Sequence, residues 1–344
     1  MKVMITTTKR PDTLAAYYTR HLSTIQGIEL VPVYTFDFED EYVQNMFFRK
    51  VQAHFFPAVL TREVTAKLEQ EVLEYKPDVL IIVKGLYISP GLLERLKRRG
   101  VFLVNYNPDH PIYFETRASG NANIKKAIPH YNLLFTYSPV IQAALKAYMP
   151  RLVTAVLPFG YEESKYSKND ISGKALIKRV CFAGTGDKAR AKFIYDLISH
   201  KVPVDIYGKG YSKYLDVKSD YLTLLPEVSG DEYLGRLQQY SIALNLYREQ
   251  NRGGHNMRSF EIPSVGGVQL VEYSRQMDDL FKNGEEIYLY RNSEELYGMI
   301  SEILQFSDDH LVDMKHRVRD KTLHAQFSYR HRALQMMEVI SAKL

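Results

Sequence analysis

The feature that most limits how this chain can fold is a repeated alternation. Short β-branched or apolar runs alternate with longer stretches of helical periodicity. "KVMITT", "IELVPVY", "DVLIIVKG", "VFLVNYN" and "NLLFTY" read as strands. Between them lie "REVTAKLEQEVLEYK" and "SPGLLERLKRRG", whose apolar residues recur at helical spacing. Strands alternating with helices argue for βαβ units around a parallel sheet. Ser89-Pro90 and Ser138-Pro139 each place a capping residue before a proline suited to the first helical position. Residues 157 to 175, "LPFGYEESKYSKNDISGKA", interrupt the pattern and read as a linker. The alternation then restarts with "RVCFAG", "VPVDIYG", "YLTLLP", "IALNLYR", "GVQLVE" and "EIYLYR". The tail, residues 308 to 344, reads as two helices.

Two such alternations predict an α/β protein of two Rossmann-like domains facing each other across a cleft. The expected boundaries are 1–160 and 161–325, with residues 326–344 a C-terminal helix that crosses back to the first domain. At 344 residues the chain is long enough for two ordinary domains. A single cysteine, Cys181, excludes an internal disulfide and sits in an apolar run as a buried thiol would. The start turns polar too soon for a secretory signal, and no apolar run is long enough to span a bilayer. The expectation is a cytoplasmic protein. A net charge of +5 suits anionic ligands or the inner face of a membrane, but is no nucleic-acid signature.

In open α/β sheets, ligands bind beyond the carboxyl ends of the strands. The strand-end loops therefore carry the functional candidates. After "IALNLYR" comes "NRGGHNMRSFEIPSVGG", residues 251 to 267. Gly253 and Gly254 let the backbone approach a phosphate, and a helix opening near Asn256 or Met257 would offer free N–H groups. Arg248 and Arg258 could neutralise phosphate charge, and Glu261, one turn in, could accept from the two hydroxyls of a ribose. The competing reading is a plain turn with Glu261 favouring the helix dipole. "FAGTGDKARAKFI" sets Gly184, Thr185 and Gly186 before Lys188 and Arg190, two cations at a helix start. It is neither a GxGxxG fingerprint nor a Walker A loop. "IYGKGY", with Gly208, and "LPEVSGDEY", with Val228, suit a nucleobase pocket; alternatively they are a turn and a helix capped by Ser229. In the first half, prolines flank Asp109 and His110 in "NPDHP", where either could serve as a general base or merely cap a turn. Lys84 ends another strand and could hold an acceptor or a phosphate, or be solvated. Neither a metal-ligand cluster nor a GxSxG elbow is present.

Several of these segments together resemble one family. "VCFAG", "IYGKGY", "LPEVSGDEYLGRLQQYSIALNLYR", "NMRSFEIPSVGGVQLVE", "LFKNGEEIYLYRNSEELYGMI" and "HAQFSYRHRALQMM" follow the order of the C-terminal part of CgeB-like glycosyltransferases, a GT-B group. "PDVLIIVKG", "NYNPDHP", "YNLLFTYSP" and "VLPFGY" resemble its acceptor domain more loosely. The resemblance implies a metal-independent enzyme that uses no cofactor and takes a nucleotide-diphosphate sugar, UDP-linked first of all, as donor substrate. It implies a glycan, lipid-linked or protein acceptor; the basic balance adds the expectation of no nucleic-acid partner and of peripheral contact with a membrane. Related family 4 glycosyltransferases carry two glutamates eight positions apart. Glu261 matches the second, the ribose binder; the first falls at Gly253, so the chain departs from that pattern. Lys188 or Arg190 stands in for the diphosphate-binding cations, and Asp109 or His110 for the base an inverting mechanism needs. A nucleotide-sugar epimerase and a catalytically silent nucleotide-sugar-binding protein are the alternatives on the same scaffold.

Overall fold

A computed structural model of the protein describes residues 1–35, 57–112, 122–166, 175–228 and 230–344. The chain forms two compact units, Met1–Pro158 with Tyr329–Leu344, and Phe159–Ser328. Each holds a six-stranded, wholly parallel sheet, so the sequence-based expectation of two Rossmann-like α/β domains holds.

The first sheet runs β2-β1-β3-β4-β5-β6. Its strands are β1 (Lys2–Thr7), β2 (Glu29–Tyr34), β3 (Val79–Val83), β4 (Phe102–Asn107), β5 (Leu133–Thr136) and β6 (Thr154–Val156). Among the described residues, the helices of this unit are α1 (Leu14–Leu22), α2 (Pro57–Tyr75), α3 (Pro90–Arg98), α4 (Ala122–Ala127), α5 (Pro139–Tyr148) and, from the end of the chain, α13 (Tyr329–Ser341). Every residue of β3 is buried, as a continuous apolar run in a parallel sheet covered on both faces requires. One core face joins Leu80 and Ile82 of β3 to Leu92, Leu93 and Leu96 of α3 and to Leu68 and Val72 of α2. The two serine–proline starts behave as caps: Ser89 accepts from the Leu92 N–H and Ser138 from the Val140 N–H, each with proline following. On α13, Tyr329 stacks on Tyr17 of α1 with ring centroids 5.1 Å apart.

The second sheet runs β12-β11-β10-β7-β8-β9. Its strands are β7 (Ile177–Ala183), β8 (Val204–Tyr207), β9 (Leu222–Leu225), β10 (Tyr240–Asn245), β11 (Gln269–Glu272) and β12 (Tyr288–Tyr290). Its helices are α6 (Glu163–Tyr166), α7 (Lys188–Ser199), α8 (Gly230–Gln239), α9 (Arg258–Ser264), α10 (Arg275–Leu280), α11 (Ser293–Gln305) and α12 (Asp308–His324). Numbered within the unit, the order is that of a dinucleotide-type Rossmann sheet, in which the order of succession reverses between the parallel neighbours β7 and β10. Phe182, Ile194, Leu197, Ile206, Leu244 and Leu270 meet in its largest core.

Of the stretch read as a linker, Leu157, Phe159 and Tyr161 are buried, and residues 167–174 lie outside the described residues. So does Ser229, the expected helix cap. Lys315 of α12 is fully buried, and its ammonium donates to the carbonyls of Gln238 (2.9 Å) and Tyr240 (2.7 Å). Among the described residues, no helix is long and apolar enough to cross a membrane.

Candidate functional site

The reversal of strand order in the second unit, between two parallel strands, opens a crevice where the loops after β7 and β10 part to opposite sides. The loop after β7 is Gly184-Thr185-Gly186, closed by Asp187, which accepts from the Arg190 N–H at 2.9 Å and caps α7. It is zipped to the loop after β8: the Gly184 N–H donates to Tyr207 O and the Gly186 N–H to Lys209 O, both at 2.9 Å. Gly208 is needed for that closeness, since a Cβ there would stand 2.1 Å from the Gly184 carbonyl oxygen. Gly208 thus supports the Gly184 loop by packing. Val228 packs beside the small cluster of Tyr207, Leu237 and Tyr240.

Arg190 points back from α7 and is 8% exposed. Its Nη1 donates to Thr185 O at 2.9 Å, its guanidinium carbon lies 5.5 Å from the Phe182 ring centroid, and Asp187 is 3.8 Å from Nε. Nε makes no hydrogen bond among the described residues, nor does the buried Tyr211 hydroxyl. Arg258 arrives from the other side of the crevice, in the first turn of α9. Its Nη2 lies 3.3 Å from where a Gly184 Cβ would stand. Its Nε donates to the Tyr233 hydroxyl at 3.0 Å, and its guanidinium carbon is 5.9 Å from the Phe182 and Tyr233 ring centroids alike. Phe182 is thus flanked by two guanidiniums.

The electrostatics follow from this geometry. Burial, then the charge of Arg258 and less strongly that of Arg248, pull the Arg190 guanidinium below its ordinary value, against Asp187. Burial raises the Tyr211 hydroxyl to about 12, with Arg190 opposing. Burial likewise raises Tyr233 to about 12, with Arg258 lowering and Glu261 raising it. Such crowding of like charge around unsatisfied polar atoms suits an anionic ligand. Arg248 is exposed just past β10, and Lys188 is exposed at the first position of α7.

The β10–α9 loop is locked from beneath. Asn245, at the end of β10, donates to Asn256 Oδ1 (3.1 Å) and Gln269 Oε1 (2.9 Å), while Asn256 Nδ2 donates back to Asn245 Oδ1 (2.8 Å). Asn256 and Ser259 cap one another: the Ser259 N–H donates to Asn256 Oδ1 and the Asn256 N–H to Ser259 Oγ. The expected row of free N–H groups is therefore partly consumed by the loop's own side chains. The N–H groups of Met257 and Arg258 take no part in these bonds. Gly253 adopts φ +73° in open space, while Gly254 is buried and its carbonyl accepts from Ser274 Oγ at 2.7 Å. His255 is buried, accepting from the Phe159 N–H at Nε2 (3.2 Å), with Nδ1 3.2 Å from Gln276 Oε1. Glu261 is half-buried in the first turn of α9, where its charge acts on Arg258 and Tyr233.

In the first unit, Lys84 and Asp109 are brought together, Nζ to Oδ2, at 3.0 Å. Lys84 holds φ +64°, a left-handed backbone that costs a non-glycine residue about 1–2 kcal/mol. Its N–H donates to Tyr106 O (2.8 Å), and its carbonyl accepts from Asn105 Nδ2 (3.3 Å). The Asp109 N–H donates to Asn107 Oδ1, forming a tight turn. Burial lowers the His110 pKa, favouring neutral imidazole, and Nδ1 accepts from the Ile112 N–H at 3.3 Å. In that tautomer Nε2 carries the proton.

Sequence reading missed Phe182, Tyr211 and Tyr233. Their only linear signal is an aromatic residue within each strand-end segment already singled out. Among the described residues, no group of three or more His, Cys, Asp or Glu is placed to hold a metal ion.

Comparison with known proteins bears on this arrangement. Residues 190–338 match the family model described as glycosyl transferase-like. No curated protein matches the chain by sequence. Among solved structures, sucrose-phosphate synthase from Thermosynechococcus elongatus is similar at TM-score 0.67 and 10% identity, covering 99% of this chain and 98% of that one. An E. coli structure described as trehalose-6-phosphate bound with UDP-2-fluoro glucose gives 0.61 at 13% identity, with 98% of each chain covered. UDP-GlcNAc 2-epimerase from Methanocaldococcus jannaschii gives 0.59 at 11% identity, covering 99% and 100%. With the two parallel sheets, these neighbours identify the fold as GT-B.

Proposed function

We propose that this protein is a glycosyltransferase of the CgeB-like type that takes a nucleoside-diphosphate sugar, UDP-linked, as its donor. The single observation that carries the reading is the pairing of Arg190 and Arg258 across the β7–β10 switch point, beside two buried polar atoms that have no hydrogen-bond partner among the described residues. A diphosphate would accept from Arg190 Nε and the Tyr211 hydroxyl and offset the crowded positive charge. The same guanidiniums would stabilise the charge that grows on the leaving diphosphate as the glycosidic bond breaks. Glu261 would hold the ribose hydroxyls. Arg248 and Lys188, both exposed, would add longer-range attraction. Asp109, ion-paired to Lys84, and His110 are the candidates for activating the acceptor hydroxyl of a glycan, lipid-linked or protein acceptor. Support comes from the glycosyl transferase-like match over residues 190–338 and from the neighbour bound to UDP-2-fluoro glucose.

The test has two stages. A thermal-shift comparison of UDP, GDP, CMP, dTDP and NAD should single out one nucleoside diphosphate. At 100 times its dissociation constant it adds about 2.7 kcal/mol of stability. Arg258→Ala and Glu261→Ala should each lose most of that response. Incubation with the matching nucleotide sugar then separates activities: acceptor-dependent release of the nucleoside diphosphate, unchanged by EDTA, supports transfer. Recovery of a 2-epimer without release supports the epimerase reading, which the M. jannaschii neighbour favours. Silence towards every nucleotide overturns both.

A further inference from the structure

The first unit carries a cavity at the opposite end of its sheet from the strand-end loops that hold Lys84 and Asp109. It is a solvent-open hollow of about 660 Å3 at the amino ends of β5 and β6. Small-ligand sites span about 300–1,000 Å3, so the volume suffices for one. Met149, Pro150, Leu152 and Val153, the segment leading into β6, form an apolar wall, and Val153 is 43% exposed.

The polar side chains of the lining all have one sense. Lys97, in the last turn of α3, and Arg151 are exposed, and neither makes a side-chain hydrogen bond or ion pair among the described residues. Asn132 commits its Oδ1 to the Leu103 N–H at 3.0 Å, so its NH2 is what it can offer an occupant. The Tyr131 hydroxyl is already engaged with Asn105. Two cations and an amide donor, with no carboxylate in the lining, sit beside an apolar wall. Ligands of the transfer reaction belong at the carboxyl ends of the strands, so this cavity is a separate site.

We propose that the cavity binds an amphiphilic anion: an alkyl chain against the Met149–Val153 wall and a single carboxylate or phosphate head between Lys97 and Arg151. The chain contributes through burial of methylenes, each worth about a fourfold gain in affinity when fully buried. The head is held by charge-assisted hydrogen bonds that are screened by salt, because both cations are exposed.

Calorimetric titration of the full chain with decanoate, below its micelle concentration, tests this. One decanoate should bind per chain, octanoate more weakly, and decanol at least tenfold more weakly than decanoate. The exposed double substitution Lys97→Gln with Arg151→Gln should weaken decanoate at least tenfold while leaving the melting temperature and any nucleotide response unchanged. Sedimentation with phosphatidylglycerol vesicles, against phosphatidylcholine, tells a bilayer lipid from a free amphiphile; pelleting with the anionic vesicles assigns the former, and its absence alongside decanoate binding the latter. No decanoate binding, equal binding of decanol, or undiminished binding by the double variant overturns the proposal.

Discussion

Lys315 gives the sharpest stability prediction. Burial lowers its pKa from the ordinary lysine value to about 7. In the unfolded chain a lysine titrates near about 10.4. Between those values the unfolded state holds a proton that the folded state has released, so stability rises with pH across that window. Below pH 7 both states are protonated and the full penalty of burying the charge applies. Above the unfolded value it is gone. From pH 7 to pH 9 this one group should add about 2 kcal/mol, since one pH unit is worth about 1.36 kcal/mol per proton and the folded ammonium is half-titrated at the start. Lys315→Met keeps the side chain's length and removes the titration. It also strips the Gln238 and Tyr240 carbonyls of their donor, costing about 1–3 kcal/mol for each acceptor left buried. The quantity to read is the difference in slope. Urea unfolding of both proteins at pH 7, 8 and 9 cancels every other titrating group, and the wild type alone should gain the extra stability. A 13C-labelled lysine resonance missing from the Lys315→Met spectrum should titrate near neutrality. Parallel stability curves, or a Lys315 resonance that titrates near 10, would refute the reasoning; the two carbonyls would then be holding the charged form.

Gly208→Ala forces a Cβ to within 2.1 Å of Gly184 O, backbone against backbone. The cost should reach about 3 kcal/mol, the upper end for overpacking, with weaker nucleotide binding; a melting temperature within a degree of wild type would contradict it. Tyr233→Phe removes the acceptor for Arg258 Nε and should weaken nucleoside-diphosphate affinity roughly three- to tenfold in calorimetry, while the donor left without its partner costs the free protein about 1–3 kcal/mol in urea unfolding. Lys201 is exposed and holds φ +61° just past the end of α7, where glycine is at ease. Lys201→Gly should stabilise by about 0.5–1 kcal/mol in urea unfolding, and any loss of stability would count against the strain argument.

Much of the local structure was legible because it is set within a few residues. The strands of the second half and five of the first stand where the alternation placed them. β6 escaped notice: it is three half-buried residues at a sheet edge, too short to show a period. Lys315 lies in a polar helical segment that reads as solvated, and only the carbonyls of Gln238 and Tyr240, more than seventy residues away, explain its burial. The Asn256–Ser259 capping was hidden for a like reason, since the Asn245 and Gln269 that fix it come from neighbouring strands.

The sequence by itself determined the class of fold, the helix starts at Ser89 and Ser138, and the loops in which function had to be sought, because periodicity and capping are local properties of the chain. Tertiary structure decided the strand order. That order, reversing between β7 and β10, carries Arg190 and Arg258 to one crevice from positions 68 residues apart, stands Phe182 between them and sets Tyr233 against Arg258. No linear pattern encodes which strands become neighbours, because pairing is chosen by the burial of whole faces against one another rather than by any residue's own preference.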